Sequence, residues 1–239
     1  MEIVDVNTLF GPLTTSSTDL SVDELAGLMR EHSVRNCCTL STIGVMLDPM
    51  VGNAATRAAC SENASLLPVA TINPQGYFGG AGPHTRLRAD GFKMVRFFPG
   101  AQGWEPDYAP FHALLDDLAA EHLPVMVEVD RPGTSTHLVR AAGAYPGPLI
   151  LAGVDVQTLA EAVALMRSHP NLHVETSRLL AMGAVRHGAE QVGAGRFLYG
   201  SGAPLRPMAS GLAALRFSGL LEGERAMVLG QNARELLAL

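Results

Sequence analysis

The chain has 239 residues, of which 47% are hydrophobic, and its formal net charge is −6. A chain of this length buries a large hydrophobic core, and none of its apolar runs approaches the roughly 20 residues that cross a bilayer. The 17 Lys and Arg residues form no dense block. This argues against nucleic acid as the main partner and leaves a membrane surface without a basic segment to hold.

The cysteine content indicates a reducing compartment. Cys37, Cys38 and Cys60 are too few for a disulfide framework, and the first two are neighbours that are poorly placed to pair with each other. The first ten residues lack the basic and apolar segments of a secretory signal. We therefore expect a cytoplasmic protein with reduced thiols.

Short β-rich runs alternate with helical patterns along the whole chain. Eight candidate strands begin 23 to 33 residues apart, which is about the length of one strand–helix unit. The predicted strands span residues 3–7, 36–41, 66–73, 92–98, 124–130, 149–154, 172–177 and 196–201.

Several of the intervening segments carry helix signals. Residues 21–32 open with Ser21 and Glu24 in the spacing of a capping box. Helical patterns also cover residues 110–122, 157–168, 178–192 and 222–239, and Ser177 is a candidate N-cap for the third of these. Strands alternating with helices indicate a parallel sheet. Eight such units predict an α/β fold, a single (β/α)8 TIM barrel over residues 1–239, with an open doubly wound sheet as the alternative.

Alternation along the strands predicts which side chains face the barrel interior. In the fifth strand the valines at 125, 127 and 129 form the apolar outer set, so Glu128 and Asp130 face inward. The same argument turns Asp5, Asn7 and Glu175 inward on the first and seventh strands. These groups are either a working site or a set of buried ion pairs, such as Glu128 with Arg96.

The ends of these strands resemble the amidohydrolase superfamily, in particular its amidohydrolase-related branch of barrel hydrolases and decarboxylases. VDVNTLFGP is similar to the first-strand segment of the family, and GFKMVRFFP is similar to the fourth. RFLYGSGAP resembles the eighth strand, and NARELL the closing helix. Similar segments lie at residues 4–12, 91–99, 123–128, 171–177, 196–204 and 232–237. The resemblance implies a metal-dependent barrel enzyme.

The ligand positions that the resemblance implies have all changed. The two first-strand histidines are replaced by Asn7 and Leu9, and the fifth-strand histidine by Glu128. Glycine stands at the sixth-strand histidine, Gly153, and at the eighth-strand aspartate, Gly202. Because a zinc site needs three or four N, S or O ligands, we expect no catalytic metal and no cofactor. A hard cation at Asn7, Glu128 and Glu175 is a further hypothesis.

The leading functional prediction is a metal-independent hydrolase of the ester or lactone type. Glu128 and Glu175 are the predicted acid–base pair, because two carboxylates in one buried lumen push their pKa values apart. Asn7 would orient water or substrate as a third catalytic residue. Arg96 and Arg178 would bind a substrate carboxylate or stabilise an oxyanion.

Asp130 and Trp104 complete the predicted substrate-binding residues, with Trp104 as a wall of the pocket or as a subunit contact. The alternative prediction is a catalytically inactive barrel that serves as a binding or assembly protein, with a mouth filled by Leu9, Phe98 and Trp104. We expect a small-molecule partner, no nucleic acid and no membrane. The apolar composition also allows a homo-oligomer.

Overall fold

The computed structural model describes residues 2–13, 19–142 and 144–239. In these residues eight parallel strands follow one another in sequence order, and each pairs with the next. The strands are β1 (Ile3–Phe10), β2 (Val34–Ser41), β3 (Leu66–Thr71), β4 (Met94–Phe97), β5 (Val125–Glu128), β6 (Leu149–Ala152), β7 (Leu172–Glu175) and β8 (Phe197–Leu198).

Hydrogen bonds between the first strand and the segment after the last one close the barrel. The amide of Val6 donates to the carbonyl of Tyr199 at 2.9 Å, and the amide of Gly202 donates to the carbonyl of Asn7 at 2.9 Å. An open sheet has free edges at its first and last strands. The chain is therefore a (β/α)8 barrel, as predicted, and the open doubly wound alternative is wrong.

Helices pack around the strands. They are α1 (Val22–Glu31), α2 (Thr42–Met46), α3 (Pro49–Glu62), α4 (Pro99–Gln102), α5 (Ala109–Leu118), α6 (Thr134–Ala142), α7 (Leu159–Met166), α8 (Ala184–Val192), α9 (Met208–Arg216), α10 (Glu222–Ala226) and α11 (Asn232–Leu237). The capping box predicted for α1 is present, because Ser21 and Glu24 bond each other's backbone amides.

Two predicted helices differ from the structure. The segment 178–192 becomes helical only at Ala184, because the Ser177 side chain bonds Glu175 and does not cap a helix. Arg178 is thereby left in the loop after β7. The predicted closing helix is interrupted by a π-helical turn at Met227–Gln231, between α10 and α11.

The core has an inner and an outer layer. Val125, Val127 and Val129 pack outward against helical side chains such as Leu114 and Leu138. A second cluster contains Met94, Met126, Ile150 and Leu198, which fill the barrel interior as layers of bulky side chains do in this fold. The carboxyl ends of the strands lie above this interior layer.

Short helices cover one side of the barrel mouth. α2 follows β2 directly, α4 follows β4 directly, and the two helices contact each other. The pocket at the mouth is consequently confined to the side formed by β1 and β4–β8.

Within the described ranges, no helix is long and apolar enough to cross a membrane. Cys37, Cys38 and Cys60 are free thiols, and all three are buried. The predicted cytoplasmic location stays a prediction.

Candidate active site at the barrel mouth

A pocket of about 140 Å³ opens at the carboxyl ends of the strands. Its walls carry polar side chains from β1, β4, β5 and the loops after β7 and β8, together with two leucines. The side chains that matter for chemistry are Asn7, Arg96, Glu128, Ser177, Arg178 and Arg206, and the leucines are Leu9 and Leu205. In this fold the carboxyl ends of the strands form the usual site of catalysis.

Arg96 is a buried cation at the centre of this pocket. Its side chain is 6% exposed, its Nη1 donates to Asn7 Oδ1 at 2.6 Å, and its guanidinium stacks 4.4 Å from the Phe98 ring centroid. Burial lowers the pKa of Arg96, while the negative charges of Glu128, Glu175 and Asp5 raise it. The Nε atom of Arg96 is buried and has no hydrogen-bond partner among the described residues.

The predicted ion pair between Arg96 and Glu128 is absent among the described residues. Glu128 is partly buried, lines the pocket, and has no cationic partner within 4.0 Å in that part of the chain. A carboxylate in this position is available to a ligand or to water. The interpretation of these residues as closed structural ion pairs is therefore wrong for Glu128.

Glu175 is buried below the pocket and does not line it. Its Oε1 accepts from the Ser177 hydroxyl at 2.8 Å and from the amide of Gly153 at 3.0 Å, and its Oε2 accepts from the amide of Ser177 at 2.9 Å. The Asn7 side chain in turn donates to Ser177 Oγ at 3.4 Å. Glu175 thus fixes Ser177. Ser177 in turn contacts Asn7, which accepts the hydrogen bond from Arg96.

Gly200 makes this network possible. A Cβ atom at this position would lie 2.9 Å from Asn7 Cβ and still closer to Glu175 Oε2. Since real side chains do not tolerate such contacts, the absence of a side chain lets β1 and β7 bring Asn7 and Glu175 together across β8.

Asp5 lies beneath the site, fully buried on β1. Its Oδ1 accepts from the amides of Asn7 and Ser201 at 3.0 and 2.9 Å, and its Oδ2 has no partner in the described chain. Burial raises the pKa of Asp5 to about 7, although the hydrogen bonds from Ser201 and Asn7 act in the opposite direction. Asp5 is therefore protonated in about half of the molecules at neutral pH.

Two arginines line the outer part of the pocket. Arg178 is 33% exposed, and its Nη2 lies 3.2 Å from Asp155 Oδ2. Arg206 is partly buried in the loop after β8. With Arg96 they place three cations around Glu128, so the pocket attracts small anions.

The structure places two predicted substrate-binding residues elsewhere. Trp104 is 5% exposed and packs in the outer core against Phe97 and Phe111, at ring-centroid distances of 6.2 and 4.9 Å. Asp130 is 44% exposed and lies 3.6 Å from the neighbouring Arg131. Both residues border a different surface groove. They therefore do not line the mouth, and of the three side chains predicted to fill it, Leu9 is the one that lines the pocket.

Sequence reasoning missed Arg206 altogether and assigned Ser177 only to a helix cap. Arg206 follows the last strand by several residues, and its direction depends on the path of the loop after Gly202 and Pro204. Its position two residues after the segment that resembles the eighth strand is the signal that could have placed it at the mouth.

Comparison with known families decides the relationship. The amidohydrolase family model matches residues 49–239. The chain belongs to the amidohydrolase family. No curated protein matches it significantly.

Solved structures of the same fold cover nearly the whole chain. Among them are 5-carboxyvanillate decarboxylase from Sphingomonas paucimobilis, at 15% identity and a TM-score of 0.77 over 100% of this chain and 99% of that one. 2,6-Dihydroxybenzoate decarboxylase from Rhizobium is 14% identical, with a TM-score of 0.78 over 99% and 98%. A dihydroxybenzoic acid decarboxylase from Polaromonas sp. JS666, with bound manganese and 2-nitroresorcinol, is 15% identical, with a TM-score of 0.76 over 100% and 97%. At such low sequence identity, the similarity to these structures shows a shared fold and nothing more.

The residues of this chain do not fit the metal of that family. Among the described residues no three His, Cys, Asp or Glu side chains come together as a metal site. Gly153 and Gly202, at two of the expected ligand positions, have φ of +86° and +75°, which residues with side chains rarely adopt. Both oxygens of Glu175 already accept hydrogen bonds, so a cation at Asn7, Glu128 and Glu175 does not fit either.

Proposed function

We propose that the chain is a metal-independent hydrolase that opens an ester or lactone bearing a carboxylate. The observation that carries this proposal is the convergence of three arginines and one carboxylate on a single pocket at the barrel mouth. That carboxylate, Glu128, has no ion-pair partner among the described residues. The pocket volume of about 140 Å³ lies below the roughly 300–1,000 Å³ of sites for drug-sized ligands. The substrate is accordingly a small organic acid derivative.

The outer arginines bind the substrate carboxylate. Arg178 is already paired with Asp155, so Arg206 supplies the freer guanidinium. Arginine forks match a carboxylate with two parallel hydrogen bonds and hold it in one orientation. This anchoring turns the scissile carbonyl toward Arg96 and Glu128.

Glu128 acts as the general base. As the oxygen of a water molecule attacks the carbonyl carbon, one water proton passes to Glu128, and negative charge develops on the carbonyl oxygen. Arg96 stabilises that charge, because it is preorganised by Asn7 and Phe98 in a site of low dielectric. The bond between the carbonyl carbon and the leaving oxygen then breaks, and Glu128 returns the proton to that oxygen.

Glu175 holds a positioning role in this scheme. Its carboxylate oxygens are occupied by three hydrogen bonds, and it does not line the pocket. Through Ser177 it fixes Asn7, and Asn7 fixes Arg96. The acid–base work therefore rests on Glu128.

Glu128→Gln tests the proposal with a change of one atom. We expect turnover of carboxylate-bearing lactones to fall by about 10²–10⁴-fold, with an unchanged circular dichroism spectrum, in an assay that follows acid release with a pH indicator. Asp130→Asn removes a carboxylate two residues away that lies outside the pocket, and it should leave turnover unchanged. Full activity of Glu128→Gln would remove Glu128 from the mechanism.

A binding or assembly protein is the second candidate. Leu9 and Leu205 line the pocket and limit its size, which favours this candidate. The carboxylate of Glu175 also favours it, because both of its oxygens are already bonded within the protein. A panel of lactones, esters and hydroxybenzoates separates the possibilities. Carboxylate binding without any turnover would support the binding protein, and release of CO2 without lactone opening would overturn the hydrolase in favour of a decarboxylase.

A further inference from the structure

Asp155 lies in the loop after β6, beside the outer part of the mouth pocket. Its Oδ2 lies 3.2 Å from Arg178 Nη2, and the side chains of this pair are 23% and 33% exposed. Arg178 lines the pocket, whereas Asp155 does not. The reaction proposed above gives Asp155 no role, so any effect of this ion pair on the chemistry must pass through Arg178.

The turn before α7 fixes the Asp155 carboxylate. Its Oδ1 accepts from the amides of Gln157 and Thr158 at 2.9 and 3.3 Å, and from the Thr158 hydroxyl at 3.3 Å. Local donors of this kind restrict the orientation of a short acidic side chain. The other oxygen, Oδ2, is free of these bonds and accepts from Arg178. Asp155 is therefore an anchor of fixed position for the guanidinium.

Arg178 and Glu128 are within reach of each other, yet they form no ion pair. A Cβ atom placed on Gly153 would lie 3.8 Å from Arg178 Cδ and 3.8 Å from Glu128 Cγ. These two carbons are therefore at most twice that distance apart, and the guanidinium and the carboxylate extend beyond them. Among the described residues, Arg178 pairs with Asp155, and Glu128 has no cationic partner within 4.0 Å. Asp155 and Glu128 thus compete for one guanidinium.

Arg96, the other cation near Glu128, is also bound to other side chains. Its Nη1 donates to Asn7 Oδ1 at 2.6 Å, and its guanidinium lies 4.4 Å from the centroid of the Phe98 ring. In the described part of the chain it makes no ion pair with Glu128 either. The carboxylate of Glu128 consequently lies among cations without being paired to one.

The competition for Arg178 decides whether Glu128 can act as a base. A cation within about 4–6 Å of a carboxylate favours its charged form and makes proton uptake less favourable by a factor of about ten or more. Guanidinium donors also occupy the carboxylate oxygens, which are then not available to water. Asp155 prevents both effects, because it holds Arg178 with a charge that takes no part in the reaction.

We propose that Asp155 is a positioning residue that holds Arg178 away from Glu128 and so keeps the general base free. This inference rests on the role proposed for Glu128 in hydrolysis. It gives the ion pair of Asp155 and Arg178 a function other than stability, to which a partly exposed ion pair contributes little.

Asp155→Asn removes the charge and keeps the local hydrogen bonds, because an amide oxygen can accept from Gln157 and Thr158 as Oδ1 does. In crystal structures of the wild type and the variant, we expect Arg178 to leave residue 155 and to approach a Glu128 oxygen within 4.0 Å, the limit of an ion pair. This measurement does not depend on turnover. If Arg178 stayed beside residue 155, the proposal would be overturned and the proposed hydrolase would be unaffected.

Turnover in the lactone assay provides the second test. The kcat of Asp155→Asn should fall about tenfold, with little change in KM, because Arg206 still binds the substrate carboxylate. Removal of the displaced cation should reverse the loss, so the double variant Asp155→Asn/Arg178→Met should have the kcat of Arg178→Met. Lost hydrogen bonds at the turn would not be rescued in this way. An equally low kcat in Asp155→Asn and in the double variant would therefore overturn the proposal.

Asp48→Asn is the matched control. Asp48 caps α3 by accepting from the amides of Met50 and Val51, and it lines a separate cavity of about 380 Å³ beside β3. The same loss of charge there should leave kcat unchanged, and a tenfold loss would trace the effect of Asp155→Asn to helix capping and overturn the proposal. Absence of turnover in the wild type would refute the hydrolase, and the crystal structures would still decide whether Asp155 holds Arg178 away from Glu128.

Discussion

The two sides of the barrel mouth use polar groups in opposite ways. On the side of β1 and β4–β8, charged groups converge, and Arg96, Asn7, Ser177 and Glu175 form a connected hydrogen-bond network. On the side of β3, the cavity of about 380 Å³ has no Lys or Arg among its described lining residues, and its surface is largely apolar. The comparison teaches that one barrel rim can gather charged side chains on one side and leave the other side nearly without charge.

The mouth side should respond to pH, and this is the largest effect that we expect. Because the pKa of Asp5 is raised to about 7 in the folded chain and is about 3.9 in an unfolded one, the folded state binds the extra proton. The contribution of Asp5 to stability is therefore full below about pH 4 and falls by up to about 4 kcal/mol as the pH rises to about 7. Urea unfolding at several pH values, compared with Asp5→Asn, measures the difference.

His173 acts in the opposite direction and makes that control necessary. Burial lowers the pKa of His173 to about 4, so its contribution to stability rises with pH between about 4 and 6.5. The difference between wild type and Asp5→Asn isolates Asp5, because His173 is common to both. Parallel stability curves for the two proteins would show that Asp5 does not titrate in this range.

Gly200→Ala should destabilise the mouth network by about 3 kcal/mol, since the new Cβ would collide with Glu175 and Asn7. Benzoate binding at the mouth should be lost as well. Chemical denaturation measures the first effect, and isothermal titration calorimetry with benzoate measures the second. The control is Gly223→Ala in α10, where no atom lies within 4 Å of the added carbon, so stability should be equal or higher. Equal stability of the two variants would contradict the spacing role of Gly200.

Arg206→Met should have the smallest effect of these substitutions, a change in the affinity of the mouth for benzoate. Loss of one guanidinium should raise the dissociation constant of benzoate about tenfold, which corresponds to about 1.4 kcal/mol. Isothermal titration calorimetry provides the measurement. Arg216→Met is the matched control, because Arg216 is exposed on α9 and stacks on Phe217. Unchanged benzoate affinity in Arg206→Met would remove Arg206 from the binding site.

The sequence predicted the direction of a side chain correctly where the side chain lies on a regular strand. Alternation along β5 correctly predicts that Glu128 points into the barrel and that the valines around it point out. Loops have no such period. The positions of Trp104, Asp130 and Arg206 depend on how the chain turns after each strand, and Ser177 bonds Glu175 because of a turn that competes with helix capping.

The left-handed backbone at Gly153 and Gly202 makes it difficult for metal ligands to occupy these two positions. If an ancestor carried metal ligands there, single substitutions back to histidine or aspartate would now meet a backbone that disfavours them. The main chain would have to change before any ligand could return. Design of a metalloenzyme on this scaffold should therefore begin by reshaping the loops after β6 and β8.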